Sequence, residues 1–473
     1  MQASRSAQAR AVDSSDTALG NGATVGAANG AAFGADTEIT SLSDNSIAIG
    51  QGTTIGGVNA AGSDNVTAVG QNIQIDDDID NVVVLGTAAN VAADGGIAIG
   101  QAAGTNATDA IATGRAVSTA GVRGVGVGFG ADAAGTDAIA IGSSAAATNI
   151  NASAFGANSI ASGVGATAVG QTSSATATSA SAFGFAAIAS GDSATALGTN
   201  SLASGQGAIA VGEAMATGSN TIAIGSGALA TNSVAIGTSA LAANGGSAVG
   251  DFAVATGSRG AAYGYGASAQ GNRSVAVGNQ ALASGRNGVA VGNNAFAGNN
   301  ATAIGANAVA SYENSAAFGA NARATRPNQQ VFGTKSNTYT TPGITSSASK
   351  AAQNGELQIV TSDANGNLAT DHGSTFEGIA NLEAGVAVAL SMAPPSLTHK
   401  ENFGFRVGYG YFQGTESAAN AVSINAIGVL ARNLFMKNDR LAIEGGAGWG
   451  QSEFGGYQED NVVGGRTGVQ WTW

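Results

Sequence analysis

The 473-residue chain has no cysteine, two histidines, four prolines and only 10% charged residues. Each scarcity excludes something. Without cysteine there are no disulfides and no thiolate metal sites, which suits an exported protein that manages without covalent staples. His372 and His399 stand alone, one near a predicted helix start and one near a predicted strand start, and neither reads as catalytic. No run of 18 or more apolar residues exists, so no transmembrane helix is available. The net charge of −13 argues against nucleic acid as a partner, because that partner demands a basic face. No Gly-x-Ser-x-Gly, P-loop or metal motif appears in the strand–turn–helix context it requires, so the reading is of a non-enzyme with no cofactor and no metal.

What is abundant is glycine, 74 residues in all, set among Ala, Ser, Thr and Asn. Disordered chains are poor in β-branched apolar residues and rich in charge. Here 44% of residues are hydrophobic and mean hydropathy is positive. Moreover Ile and Val recur in register, in a short apolar alternation that ends on glycine. Examples are Ser46-Ile47-Ala48-Ile49-Gly50, Ala138-Ile139-Ala140-Ile141-Gly142 and Ser274-Val275-Ala276-Val277-Gly278. The terminal glycines run from Gly86 through Gly100, Gly114 and Gly128 to Gly212 in unbroken steps of 14, then on to Gly333 in steps of 12 to 14. Two heptads would also give 14, but the alternation has period 2, and glycine costs about 1 kcal/mol at each helical position. The unit therefore predicts a strand of about five residues, a turn, and a second short strand such as Ala228-Leu229-Ala230 with its own turn. That is one coil of a parallel β-solenoid, with glycine supplying positive φ at a corner. Ile97 and Ile99 are expected to form the core column, with Ala98 on a flat face that lets another backbone approach. Some twenty coils at about 4.8 Å make a rod of roughly 100 Å. A coil so slender buries little by itself, which points to side-by-side oligomerisation.

These repeats resemble the head of YadA-like trimeric autotransporter adhesins, on the residues Asn45-Ser46-Ile47-Ala48-Ile49-Gly50 and Asn232-Ser233-Val234-Ala235-Ile236-Gly237. The resemblance covers about 46–333 and implies a left-handed parallel β-roll, three copies of which pack around a threefold axis. Residues 1–45 read as a separate N-terminal segment, with Gly26 and Gly34 hinting at degenerate repeats. Arg5 and Arg10 have no apolar stretch after them, so any export leader is expected to have been removed.

After Gly333 the period stops. Residues 334–375 read as a connector, with a strand at Glu356–Val360 and an Asn365-Gly366 turn. Residues 376–395 hold one predicted helix, capped by Ser374 or Thr375, carrying Ile379, Leu382, Val386, Ala389 and Ala393 on one stripe and stopped by Pro394-Pro395. Residues 396–473 alternate again. Phe403, Phe405, Val407, Tyr409 and Tyr411 interleave with glycines and Arg406, and Val463, Val469, Trp471 and Trp473 interleave with glycines and Arg466. With two more strands over 421–431 and 441–449, one face is aromatic and the other glycine, the dyad pattern of a transmembrane β-barrel. Phe403, Phe405, Tyr409, Tyr411, Trp449, Trp471 and Trp473 are the expected lipid-facing residues. Four strands cannot close, and an open edge is not tolerated in lipid. Three chains giving twelve strands can close, with their glycine faces leaving room for three helices. The same resemblance extends to this anchor, which it expects to assist export of its own head.

Sites are few. Asp76-Asp77-Asp78-Ile79-Asp80 reads as a solvated loop insertion rather than a calcium site. Arg406 and Arg466 are expected to pair with Glu444 inside the barrel. Ser46, Ile47, Ser233, Val234, Ser274 and Val275 on the coil faces are the candidate contact residues of the head. The fold class is thus all-β dominated: a trimeric solenoid head, a short connector, one helix per chain and a shared twelve-stranded barrel. The expected protein is a homotrimeric outer-membrane adhesin, displayed at the cell surface. Its partners would be membrane lipid, the barrel assembly machinery, and an extracellular protein or surface. A surface-coat or filament component and a phage tail fibre are the alternatives, and self-assembly of the head into lattices would favour the former.

Overall fold

The computed structural model describes residues 8–57, 62–355, 357–398, 400–413, 417–454, 457–458 and 462–472. The chain divides into two units, Met1–Asn337 and Thr338–Trp473.

The first unit is a parallel β-solenoid. Each coil carries one three-residue strand and one two-residue strand, as in Ile139–Ile141 followed by Ala146–Ala147. Twenty-three of the longer strands stack in a single ladder from Thr17–Leu19 to Gln330–Phe332. Pairing is in register, so Ile139 lies between Val125 and Ser153, and Ala140 between Gly126 and Ala154. The shorter strands form a five-stranded run, Arg10–Ala11 to Gln74–Ile75, and a seventeen-stranded run, Asn90–Val91 to Val309–Ala310. The coils therefore begin near Arg10 rather than at Ser46.

The strands are shorter than the alternation predicts because positive-φ corners cut the extended run. In the coil that starts at Ala138, Gly142 has φ 138° and Ser144 φ 54°, and Asn151 opens the next corner at 56°. Gly142 is doubly constrained: a Cβ there would sit 2.4 Å from the carbonyl oxygen of Gly156 one coil on.

The expected core is inverted. Ala140 is fully buried, whereas Ile141 is 38% exposed and Ile139 half-buried. The same holds for Ile97, Ala98 and Ile99, and the outward Ile/Val column extends along the ladder. The reason is width. Two short strands joined by tight turns face each other across a gap that one methyl from each side fills. Four alanines fill the interior of this coil: Ala138, Ala140, Ala145 and Ala147. The N-terminal coils are roomier. The largest fully buried side chains of the solenoid, among them Ile39, Ile55, Ile73, Ile75, Val84 and Val117, all precede residue 118.

In the second unit a short helix, Ser347–Ala351, precedes an antiparallel hairpin of Val360–Ser362 and Leu368–Thr370. The Asn365-Gly366 turn is present, with the Asp363 carboxylate accepting from the Asn365 and Asn367 N–H groups at 2.8 and 2.9 Å. The predicted first strand is displaced to Val360–Ser362, and Glu356 lies outside the described residues. A helix spans Ser374–Ser391, and four long strands follow: Phe403–Gln413, Ser417–Arg432, Arg440–Phe454 and Val462–Thr472. The four long strands pair antiparallel in chain order as a meander, and a two-residue strand, Tyr457–Gln458, pairs with the end of the third. The meander's first and last strands, each 11 residues long, have one neighbour apiece among the described residues.

Neither Ser374 nor Thr375 caps the helix. Gly373 takes the cap position at φ 82°, and Asp371 accepts from the N–H groups of Gly373 (3.0 Å) and Thr375 (3.1 Å). Hydrogen bonding by Thr375, with further bonds from Gly373 and Ile359, holds the Asp371 carboxyl at about 2, well below its ordinary value. The folded state binds this proton less readily, so the cap's contribution is present above the ordinary carboxylate range and vanishes as pH falls through about 2. Asp371→Ala is expected to fray the first helical turn at neutral pH, read as faster amide exchange at Phe376–Glu377. Near pH 2 the variant and the parent should exchange alike.

Candidate functional site

The candidate contact residues of the head separate by side. Ser46 and Ser274 are fully buried, and the Ser46 hydroxyl donates to the Ser63 carbonyl at 3.2 Å. Ser233 is half-buried. Serine at this place occupies the position taken by Ala138 in other coils, so it is interior filling and not a contact surface. Ile47, Val234 and Val275 stand on the outer side of the ladder, with Ile47 39% exposed. They stand in the first column of that side, and two residues on along each strand runs a second, more uniformly apolar column that includes Ile99, Ile141, Phe183, Leu197, Tyr263 and Ile304. An exposed apolar column of this length is more than a soluble monomer ordinarily leaves open to water.

The acidic segment is part of the coil rather than a loop inserted into it. Ile75 and Ile79 are core residues. Asp80 joins a stack of corner aspartates, in which each carboxylate accepts from a backbone N–H of the coil before: Asp44 N–H to Asp64 (2.7 Å), Asp64 to Asp80 (2.7 Å) and Asp80 to Asp94 (2.9 Å). No grouping of three or more His, Cys, Asp or Glu with metal-holding geometry exists among the described residues. His372 lies exposed just before the helix, and His399 is outside the described residues.

The sheet of the second unit has two unlike faces. One is small and lies under the helix. A Cβ on Gly408 would sit 1.8 Å from the Ser391 carbonyl oxygen, and one on Gly410 would sit 2.0 Å from that of Ala387. Gly448, Gly450 and Gly464 receive Val388. The helix answers with its own smallest face, Ala380, Ala384, Ala387 and Ser391. Ser423 Oγ donates to the Ser391 carbonyl (2.7 Å), and Arg466 donates to that of Met392 (2.6 Å) while pairing with Glu444. A cation among the last carbonyls suits the negative helix end. Arg406 lies in the same cross-strand row, through Asn425 and Gly446, but makes no ion pair with Glu444. Of the stripe expected to face other helices, Leu382, Val386 and Ala389 are exposed and turned from the sheet, whereas Ile379 and Ala393 are half-buried; Leu390, outside that stripe, is 61% exposed beside them.

The other face is apolar and open. Phe403, Phe405, Tyr409, Tyr411, Trp449 and Trp471 are all exposed on it, and Trp473 lies outside the described residues. Cross-strand register adds an arrangement that the sequence does not display. Tyr409 and Trp449 share one row through Val422, with Tyr411 just beyond. Toward the opposite end stand Phe403 on the first strand and Trp471 on the last, the latter with its ring centre 5.0 Å from that of Phe435. Val407 and Ile424 share a row between the two ends, while Val463 continues the Tyr409 row and Ile443 and Val469 continue the Phe403 row. Tyr411 lies eight residues from Phe403 along its strand, and Trp471 two residues beyond the row of Phe403. Ten residues span about 34 Å, and at a barrel strand's tilt this projects to about 25 Å, the height of an outer-membrane apolar band. The tyrosine hydroxyls turn to polar neighbours, Asn420 (2.5 Å) and Gln413 (3.0 Å). No described helix is long and apolar enough to cross a membrane, a fact that does not bear on strands.

Comparison with known families finds the YadA head domain repeat at residues 133–159, 161–187, 189–213, 216–240, 269–295 and 297–322. No curated protein matches the chain. The matches begin where the solenoid core becomes small throughout, just after Val117 and Ala131. Upstream, larger core residues and longer coils carry the same fold on a different pattern. The chain carries YadA head repeats folded as a β-solenoid, consistent with a YadA-like trimeric autotransporter adhesin.

Proposed function

We propose that the chain is a homotrimeric adhesin of a bacterial outer membrane, its head displayed at the cell surface and its four-stranded sheet one third of a shared barrel. The observation that carries this reading is the pair of equal, 11-residue edge strands on a sheet whose outer face is apolar and aromatic. In lipid such edges need partners. In a meander of four strands the last runs antiparallel to the first, so the last strand of one copy can pair with the first of the next. Three copies give twelve strands, with three helices inside meeting through Leu382, Val386 and Leu390. The head supports the same symmetry. Each outward Ile or Val contributes ~1.5–3 kcal/mol when buried, so a column along 23 strands outweighs the ~4–15 kcal/mol lost on association. The solenoids then form a left-handed β-roll trimer, and ligands are bound weakly but many times over, on host matrix, surfaces or other cells. The anchor serves export of its own head, and the barrel assembly machinery inserts it.

The test is gel migration of the outer-membrane fraction, unheated and boiled. A heat-dissociable band near three times 45.3 kDa is expected. A soluble monomer under both conditions would overturn the proposal.

A further inference from the structure

Charge is segregated along the solenoid. Between residues 10 and 94 there are eleven acidic side chains against Arg10 alone, a net of −10. Between 252 and 333 there are five arginines against Glu313 alone, a net of +4 in a chain whose total is −13. Three of those arginines share one edge. Arg259 and Arg273 occupy the same corner position in successive coils, at φ 57° each, and Arg286 lies at that corner in the coil after. The corner is tied coil to coil: Arg273 N–H donates to the Ser258 carbonyl (2.8 Å), Asn287 N–H to that of Asn272 (2.9 Å), and Arg286 N–H to Asn299 Oδ1 (3.0 Å). The backbone thus holds three guanidinium stems about 5 Å apart along the axis.

The same corner shows what neutralisation looks like. Arg123 stands there too, and its guanidinium grips Asp137 of the next coil at 2.6 and 2.7 Å. Arg259, Arg273 and Arg286 have no such acid above or below, and none of the three makes an ion pair among the described residues. Instead they line an open recess of about 360 Å³ with Ser258 and Asn272. Three exposed, like-charged groups in a row raise the local positive potential, which draws anions to this edge.

We propose that this edge binds a linear anionic polysaccharide, its sulfate or carboxylate groups seated on Arg259, Arg273 and Arg286. Guanidinium matches such groups two bonds at a time, and Ser258 and Asn272 are placed for sugar hydroxyls. An open row, with no enclosing wall, suits a polymer whose charges repeat along its length rather than a single small anion. Duplex DNA would require a wider basic face, and the acidic N-terminal coils would repel it. The proposal names a ligand class for the adhesive reading and rests on it only for where the ligand is met.

The experiment uses the full-length chain in detergent on immobilised heparin, with duplex DNA as competitor. The variant is Arg259→Asn, Arg273→Asn and Arg286→Gln, since asparagine keeps the positive-φ corner comfortable. Arg323→Gln with Arg326→Gln is the control, and the heat-dissociable gel band reports that each variant is folded and assembled. Heparin retention should weaken about tenfold in the triple variant and little in the control. Equal retention by the triple variant, equal loss in the control, or DNA displacing heparin at matched charge would each overturn the proposal. Loss of the gel band in the parent chain would instead overturn the trimeric reading.

Discussion

Replacing Ala154 by leucine is expected to open the solenoid locally, while replacing its exposed neighbour Ile141 by threonine leaves the single coil intact. Ala154 is fully buried, in register between Ala140 and Ala168, and shares its coil's interior with Ala152, Ser159 and Ala161. Three added carbons have nowhere to go, because the opposite strand is one methyl away and the coils above and below repeat the same filling. The cost should reach the top of the ~1–3 kcal/mol usual for an overpacked core. Because each coil touches only its neighbours, the damage should centre on one place. The measurement is limited proteolysis, with new cleavage between 150 and 170, and a lower first transition in thermal unfolding. Ile141→Thr should leave both unchanged in the monomer and weaken only the association of three chains. If the isoleucine change proved the more damaging to a single chain, the orientation of the coil described above would be wrong.

The second large effect lies in the anchor. If the chain assembles as proposed, Gly410→Val is expected to abolish the heat-dissociable trimer and to remove most head from the cell surface. A Cβ on Gly410 meets the Ala387 carbonyl oxygen at 2.0 Å and the Ser391 nitrogen at 3.0 Å, where ordinary contact begins at 3.4 Å. The obstacle is helix backbone, which cannot rotate aside as a side chain can. Valine would push Ser374–Ser391 off its seat, taking with it the Ser423 and Arg466 bonds to the helix end. The control is Gly465→Ala on the opposite face. Its nearest neighbour, the Gly446 carbonyl oxygen, is 3.7 Å away, so this variant should assemble normally. Surface exposure of the head is read by antibody on intact cells and assembly by the unheated gel. Normal assembly of Gly410→Val would mean that the helix does not rest on this face.

The repeat, its parallel coils and the four-strand alternation were legible in the sequence because each is a periodicity, and a periodicity survives without knowledge of what touches what. The orientation of the coil was not, and the reading inverted it. Size marks the inside in wide cores, but not in a coil one methyl deep on each side. Here the reliable mark was uniformity: Ala48, Ala68, Ala98, Ala112, Ala140 and Ala154 hold one size at the strand centre. The position after it ranges over Ile49, Val69, Thr113, Phe155 and Tyr263. A position held to alanine in nearly every coil, with Val84, Gly126 and Val331 the departures, is enclosed, and one that runs from threonine to tyrosine is not. The same error placed Ser46 and Ser274 on a contact surface. The glycine face of the anchor was legible, but the two aromatic belts and the arginine row were not. Both depend on register, which decides that Trp449 stands beside Tyr409 and that Arg273 follows Arg259 on one corner.

The stacking of coils also decides how the head bears load. Backbone hydrogen bonds of a parallel ladder run from coil to coil, along the length of the solenoid. Tension between its two ends therefore falls on one layer of bonds at a time, instead of shearing many together. Coils at the end should peel off singly. Each 14-residue coil that lets go exchanges about 5 Å of rise for roughly 48 Å of extended chain. The bonds it loses are re-formed when the pull relaxes, with the next coil as template. A solenoid made this way lengthens stepwise under tension, and the peak force it transmits is set by one coil, however many it has.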